Sequence, residues 1–197
     1  MPRTRIITDQ KVFEAAIQLV SSFGVASLTF ASLGQATSLA PPTLVQRFKT
    51  KQGLLSATTS YCLQRMESSF KEVVQQNDSP LAALTQGLMS LAGAVTSVQA
   101  FANGQAFLQL GLTNPDLAHR LRSTMASTRD EMERLLNSAV VLKELRPCNT
   151  RALAQALQAM YEGGIITWAV YQQKPIEEWV GELLQAVIEP YKVVKER

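Results

Sequence analysis

Residues 23–55 read FGVASLTFASLGQATSLAPPTLVQRFKTKQGLL, and they carry the strongest structural signals in the chain. Gly24 ends a first helix, Thr29 is a candidate N-cap of a second, and Ser38-Leu39-Ala40 is too short for anything but a sharp turn. Pro41-Pro42 fits only at the start of a third helix, because later in a helix proline removes backbone hydrogen bonds and clashes with the preceding turn. The stretch predicts two short helices joined by a tight turn.

A longer helix precedes this stretch and completes a three-helix unit. Its apolar residues are spaced i, i+3, i+4, i+7, i+8 and i+11, which predicts one buried face made of Val12, Ala15, Ala16, Leu19, Val20 and Phe23. The third helix, residues 43–48, is expected to present Thr43, Gln46 and Arg47 on its outer face. Hydroxyl, amide and guanidinium groups recognise base edges and phosphates, so the pattern predicts a helix-turn-helix that places a short helix in a DNA groove.

Residues 7–55 resemble the DNA-binding domain of the TetR family of bacterial transcription regulators. The family pattern is Thr, three variable residues, Ile-Ala, two variable, Ala-Gly-Val-Ser, one variable, Gly-Thr-Leu-Tyr, two variable, Phe and Ser-Lys. Without a gap, this chain has Thr29, Leu33-Gly34, Thr37-Ser38-Leu39-Ala40, Pro42-Thr43-Leu44-Val45, Phe48 and Thr50-Lys51. The resemblance implies an all-α protein whose DNA contacts come from Thr29, Ala40, Pro41, Pro42, Thr43, Val45, Gln46, Arg47, Lys49 and Lys51.

Four departures from the family pattern leave a second interpretation open. Ser38 replaces the turn glycine, Ala40 replaces the serine N-cap, Val45 replaces a tyrosine, and Pro41-Pro42 removes two backbone donors from the helix N-terminus. A chain with these changes either binds an unusual operator or has a decayed DNA-binding head, which means that its N-terminal three-helix domain has lost DNA binding. In the second case it would be a helical dimer that acts as a small-molecule-binding or protein-interaction module.

Charge favours the DNA-binding interpretation. Residues 1–55 carry a net charge of +4, whereas the whole chain carries +3. Basic residues on this part of the chain would neutralise phosphates and make the affinity salt-dependent. Arg3 and Arg5 lie in a short leader that is either a flexible arm on the phosphate backbone or a disordered end.

Beyond residue 55 the chain shows helical patterns and no alternating strand pattern. Proline and capping signals divide it into segments, which gives about nine helices in all, the last one running from Pro175 to about Lys195. We therefore predict an N-terminal three-helix DNA-binding domain, residues 1–50, and a larger helical ligand-binding and dimerisation domain, residues 51–197.

The last two helices are the predicted dimerisation pair. The final helix carries a wide apolar stripe of Ile176, Trp179, Val180, Leu183, Leu184, Val187, Ile188 and Tyr191. The helix before it has one large apolar face and one small face, the latter made of Ala152, Ala156, Ala159 and Gly163. Residues 143–147, followed by Leu153-Ala154 and Gly164, are also similar to the segment that opens the dimer helices of many TetR-family members. A homodimer would present two heads to a palindromic operator.

The resemblance also implies a pocket for a small-molecule effector in the larger domain. A set of methionines and aromatics predicts a largely apolar effector, with Asn103 and Gln105 as polar contacts; the set is Met66, Met89, Phe101, Phe107, Met125, Tyr161 and Trp168. The same residues would equally form an ordinary core. Effector binding would shift helix four and the separation of the heads, which favours either release or binding of DNA by a population shift.

Enzymatic, metal-dependent and membrane classes find no support in the sequence. His119 is the only histidine and has no nucleophile or ligand partner at a suggestive spacing, and no phosphate-binding glycine loop is present. Cys62 and Cys148 are far apart, so neither zinc nor a redox pair is indicated. We therefore predict no enzymatic activity, no catalytic residue and no cofactor. Because the sequence has no apolar run long enough to span a bilayer and no signal-peptide core, we predict a cytoplasmic location.

Overall fold

The computed structural model describes residues 7–193, so Arg3 and Arg5 of the predicted arm lie outside it. Within these residues the secondary structure is helical apart from turns and one isolated antiparallel bridge, which joins Leu145 and Lys192. The helices are α1 Asp9–Phe23, α2 Phe30–Thr37, α3 Pro41–Phe48, α4 Lys51–Val74, α5 Pro80–Gly93, α6 Val98–Thr113, α7 Pro115–Val141, α8 Thr150–Tyr171 and α9 Ile176–Ile188.

The helices form two compact units, and each contains part of α4 and part of α7. The N-terminal unit comprises the residues up to Gln64 together with Ser97–Arg122, and the C-terminal unit comprises Arg65–Thr96 together with the residues from Ser123 onward. Helix α6 therefore packs with the predicted DNA-binding domain, which is not the division at residue 50 that the sequence suggested. Asn103 of α6 donates a hydrogen bond to the Ser21 carbonyl at 2.9 Å, which fixes α6 to the end of α1.

The core of the N-terminal unit is built from the three predicted helices. The first turn of α4 contributes Leu54 and Leu55 to this core. The other buried side chains come from α1, α2, α3 and the turn before α2, and they include Val12, Ala16, Val20, Leu28, Leu33 and Leu44. Phe23 is an exception to the predicted buried face, because its side chain is 73% exposed. It is the last residue of α1, and Gly24 then turns the chain at φ 80°, so no following helical turn covers the ring. Gly24 itself ends the helix as predicted.

The core of the C-terminal unit lies among α5, α7, α8, α9 and the last turns of α4. Close packing between α4 and α5 depends on Gly87, because a Cβ at this position would lie 2.7 Å from the Phe70 ring.

Helix α9 is shorter than predicted. It ends at Ile188, and Glu189–Tyr191 form a 3-10 turn, since Pro190 has no N–H with which to continue an α-helix. Within the described residues no single helix is long and apolar enough to cross a membrane. Helices α5 and α6 together have the length and apolar composition of a membrane span, but they are bent by 99° relative to each other.

Candidate nucleic-acid interface

The start of α2 is fixed by a reciprocal capping interaction. Thr29 Oγ1 accepts a hydrogen bond from the Ser32 N–H at 3.0 Å, and Ser32 Oγ accepts one from the Thr29 N–H at 3.0 Å. This capping box satisfies two backbone donors that a helix N-terminus leaves free. The sequence predicted Thr29 as the N-cap of α2, and the structure confirms that its side chain caps this helix.

The turn between α2 and α3 accommodates a serine in place of glycine. Ser38 takes the left-handed conformation at φ 57° and ψ 28°, and the N–H groups of Ser38 and Leu39 both bond to the Gly34 carbonyl. The turn comes so close to α2 that a Cβ at Gly34 would lie 2.7 Å from the Leu39 carbonyl oxygen. Leu39 packs against the buried core between the helices. The turn geometry of a helix-turn-helix is therefore kept despite the substitution.

Helix α3 begins without a side-chain cap and without free backbone donors in its first turn. Ala40 is the N-cap residue and makes no capping hydrogen bond, because an alanine side chain has no acceptor atom. Pro41-Pro42 has no N–H groups, and the Thr43 N–H bonds to the Ala40 carbonyl at 2.9 Å. The first three residues of this helix consequently offer no free backbone N–H to a phosphate, in contrast to the usual anion-binding helix N-terminus.

The exposed face of α3 agrees in part with the face that the sequence suggested. Gln46 and Arg47 are exposed as expected, together with Pro41, Pro42 and Val45, whereas Thr43 is half-buried. The Arg47 side chain reaches the start of α1. Its guanidinium donates from Nη1 to the Ile7 carbonyl and to the Asp9 carboxylate, both at 3.2 Å.

Two lysines border the same helix at its C-terminal end. Lys49 is exposed, follows α3 and has a positive φ of 64°, which turns the chain toward α4. Lys51 Nζ donates to the Ala26 carbonyl at 3.4 Å, a long contact on an exposed side chain. Both amines carry positive charge at the edge of the α3 surface, where they can interact with phosphates.

The predicted effector-lining residues fall in both compact units. In the N-terminal unit, Phe107 packs against the head core, and Phe101 is half-buried on the same helix. Asn103 is occupied by its bond to Ser21, and Gln105 donates to the Phe101 carbonyl at 3.4 Å. Neither polar group is thereby directed toward a ligand.

In the C-terminal unit the remaining members have different environments. Trp168 is buried and its Nε1 donates to the Lys174 carbonyl at 3.0 Å, while Tyr161 packs against the core and burial raises the pKa of its hydroxyl. Met66 and Met125 are half-buried, and the Met125 carbonyl accepts a bond from Gln158. Met89 lines an open groove.

That groove, between α5 and α9, was not anticipated from the sequence. It has a volume of about 1270 Å³, and its walls carry Glu177, Glu178 and Glu182 from α9 and Glu144 from the α7–α8 connection. Glu144 Oε2 accepts the Leu81 N–H at 3.0 Å, and Glu182 pairs with Lys174 at 2.6 Å. No sequence signal identifies the groove, because its two walls are about 90 residues apart in the chain. Among residues 7–193, no group of histidine, cysteine and acidic side chains is arranged to hold a metal ion.

The two faces of α8 have opposite environments. Leu153, Leu157 and Trp168 are buried in the C-terminal unit, whereas the small residues on the other face are exposed. The exposed face continues into Ile166 and Val170, which are 55% and 70% exposed. By contrast, the α9 stripe is largely covered within the chain: Ile176, Val180, Leu184 and Ile188 are buried, and Trp179 Nε1 donates to the Gly164 carbonyl. The open apolar surface therefore lies on α8.

No family model and no curated protein sequence matches this chain. Solved structures do match it over almost its whole length. A TetR transcription regulator from Haloarcula marismortui superposes with a TM-score of 0.75 at 15% identity, covering 93% of this chain and 97% of that one. A TetR-family regulator from Cytophaga hutchinsonii gives 0.74 at 19% identity, covering 94% and 95%.

A third similar structure is FadR from Bacillus subtilis, determined in complex with stearoyl-CoA. Its TM-score is 0.69 at 14% identity, with 92% of this chain and 98% of that chain covered. At such identities the likeness establishes the fold. The chain therefore has the all-α fold of TetR-family transcriptional regulators, and the proteins that share it here are regulators rather than enzymes.

Proposed function

We propose that this chain, which has the TetR-regulator fold, is a ligand-responsive transcriptional regulator, and more specifically a repressor that binds a palindromic operator as a homodimer in the cytoplasm. The observation that carries the proposal is the head itself: α2 and α3 are held by a left-handed turn at Ser38, and α3 leaves Pro42, Val45 and Gln46 exposed. In a helix-turn-helix the residues near the start of the second helix reach base edges in the major groove.

The turn and the start of α3 form despite the departures at Ser38, Ala40 and Pro41-Pro42. Ser38 adopts the conformation that a glycine would take, and α3 starts at Pro41 despite its uncapped Ala40. These features support the DNA-binding interpretation over the decayed-head alternative. Lys49 and Lys51 are proposed as phosphate contacts, which would make the affinity fall with salt.

The exposed face of α8 supports the homodimer. Ala152, Ala156, Ala159, Gly163, Ile166 and Val170 are spaced alternately by four and three residues, which is the spacing of a helix–helix seam. A Cβ at Gly163 would meet nothing within 4 Å, so no contact within the described chain requires a glycine in this helix interior. A second copy that packs closely against the same face would account for it, and a two-fold interface of this kind is self-complementary.

The effector is proposed to be small and largely apolar. FadR, which shares the fold, was crystallised with stearoyl-CoA, a molecule with a long apolar chain. The half-buried Met66 and Met125 of the C-terminal unit remain the best candidates for flexible apolar contacts, because methionine adapts to irregular ligands. A melting-temperature screen with fatty acyl-CoA, free fatty acids and aromatic compounds would test this. Any compound that raises the melting temperature would then be added to the protein–DNA complex to measure whether DNA is released.

Binding to defined DNA tests the main proposal. The purified protein is titrated onto labelled duplexes from the intergenic DNA beside its coding region, at two salt concentrations and with a scrambled competitor. We expect tight, competitor-resistant binding that weakens with salt and falls at least tenfold in Gln46→Ala. Gln75→Ala, an exposed glutamine in the C-terminal unit, is the matched control. Equal, weak binding to every duplex, from this region and elsewhere, would support the decayed-head alternative.

A further inference from the structure

The exposed face of α3 is unusually apolar for a surface that contacts DNA. Successive helical residues are rotated by about 100°, so Pro41, Val45, Pro42 and Gln46 fall within a band about 140° wide. Val45 is 43% exposed, and the two prolines are exposed as well. The band therefore presents apolar groups bordered by one amide.

The groups that most often recognise guanine are missing from this band. Arginine paired with guanine O6 and N7 is the commonest specific contact in protein–DNA complexes. The arginine of α3, Arg47, lies on another side of the helix and bonds to Asp9 and the Ile7 carbonyl. Lys49 lies beyond the C-terminal end of α3, away from the N-terminal residues that reach base edges.

The remaining groups match one kind of base pair. Thymine presents a C5-methyl group in the major groove, which apolar side chains contact, and adenine presents N6 and N7, which glutamine bonds through its two amide atoms. The Gln46 amide is exposed, and among residues 7–193 no hydrogen bond holds it in another position. It is therefore available for such a bidentate contact.

The geometry points to a head that recognises T·A base pairs: Val45 and Pro41-Pro42 contact thymine methyl groups, and Gln46 bonds the adenine edge. This inference rests on the proposed function, because it specifies the DNA that the same surface binds. Specificity comes mainly from the exposed apolar surface, while the phosphate contacts of the lysines contribute affinity without sequence preference.

The test begins with selection of random 30-base-pair duplexes by the full-length protein. We expect an enriched site with T·A pairs in each half-site. Each enriched thymine is then replaced by deoxyuridine, which removes only the C5-methyl group. The dissociation constant should rise about fourfold at a contacted thymine, the equivalent of about 0.8 kcal/mol for one buried methyl group.

Variants assign the contacts to residues. In Val45→Ala the deoxyuridine effect should disappear at one thymine per half-site, whereas Val25→Ala, an exposed valine outside α3, should retain it. Gln46→Ala should lose about tenfold of the preference for adenine at one position. Both variants change exposed side chains, so an unchanged melting temperature will show that folding is intact.

The outcomes separate the inference from the function on which it rests. Tight binding to an enriched site that is dominated by G·C pairs, or that ignores deoxyuridine, overturns the T·A assignment and leaves a sequence-specific regulator. Tight binding to T·A-rich sites with an undiminished deoxyuridine effect in Val45→Ala overturns the role of Val45. Enrichment of no sequence at all overturns both the inference and the proposed regulator.

Discussion

The Arg47 guanidinium lies 3.2 Å from the Asp9 carboxylate, which joins helix α3 to the first residue of α1. The pair is partly exposed, with 31% of the Arg47 side chain and 64% of the Asp9 side chain accessible. An ion pair of this kind contributes about 0–1 kcal/mol to stability. For the proposed DNA binding its consequence would be larger, because Asp9 pairs with a cation that could otherwise contact a phosphate.

Removing the Asp9 charge should strengthen DNA binding. In Asp9→Asn we expect an increase in affinity of roughly two- to fivefold at low salt for every duplex, because a phosphate contact becomes available and a negative charge is lost. Titrations at several salt concentrations will measure the affinity. The slope of log affinity against log salt concentration should become steeper by about the amount expected for one additional phosphate contact. Asp78→Asn makes the same charge change in the C-terminal unit and is the control. Equal effects of the two variants would show that the pair does not compete with DNA.

Replacing Ser38 by glycine should stabilise the protein. Ser38 occupies the left-handed region, which costs a residue with a Cβ about 1–2 kcal/mol relative to its preferred conformation. Ser38→Gly should raise the free energy of unfolding by up to about 1 kcal/mol, because the relief of this strain exceeds the extra entropy that glycine has in the unfolded chain. Urea denaturation gives the value. Ser38→Ala keeps the strain and should show no gain, so a matching gain in alanine would contradict this explanation.

Gly34 should not tolerate even one methyl group. A Cβ there would lie 2.7 Å from the Leu39 carbonyl oxygen, a backbone atom that cannot rotate away. Gly34→Ala should therefore lower the free energy of unfolding by about 1–3 kcal/mol and shift the turn before α3. Gly104→Ala is a matched control, because this helical glycine has nothing within 4 Å of the added Cβ. The control should gain up to about 1 kcal/mol in helix propensity.

A charge on the exposed face of α8 should separate the proposed dimer. Ala156→Glu places a carboxylate in the centre of the small-residue seam, where a two-fold partner would bring a second one nearby. Sedimentation velocity should show a monomer for this variant and a dimer for the wild type. Ala102→Glu, an exposed alanine on α6, should remain dimeric. A wild-type monomer at micromolar concentration, or a dimeric Ala156→Glu, would argue against this interface.

Glu67 should make stability depend on acid pH. Hydrogen bonds from Lys71 and from Ser127, both 2.7 Å long, lower the pKa of its carboxyl below the ordinary value of 4.5. Because the folded state favours the charged form, the stabilisation is present above the unfolded pKa and is lost as pH falls through the folded pKa. Glu67→Gln should flatten the decrease in stability below about pH 4.5, measured by urea denaturation. Glu72→Gln on the same helix should follow the wild type.

Local sequence signals were sufficient for the head. Gly24, Thr29, Ser38 and Pro41-Pro42 each constrain the backbone of their own neighbourhood, through allowed dihedral angles or missing donors, and the helix boundaries there fall where these residues predict. The apolar periodicity likewise identified most of the buried residues of α1 and both faces of α8. In the same way the sequence established an all-α chain, because helical periodicity is a property of residues a few positions apart.

The sequence alone therefore determined the helices, the turn and the helix-turn-helix pattern. Four other features became visible only in the three-dimensional structure. Arg47 turns toward Asp9, α6 packs with the N-terminal helices, α9 is covered while one face of α8 stays exposed, and α5 and α9 line a groove. Each of these depends on residues brought together from distant parts of the chain. The direction of a long side chain and the covering of a helix face are set by those neighbours, and no local periodicity encodes them.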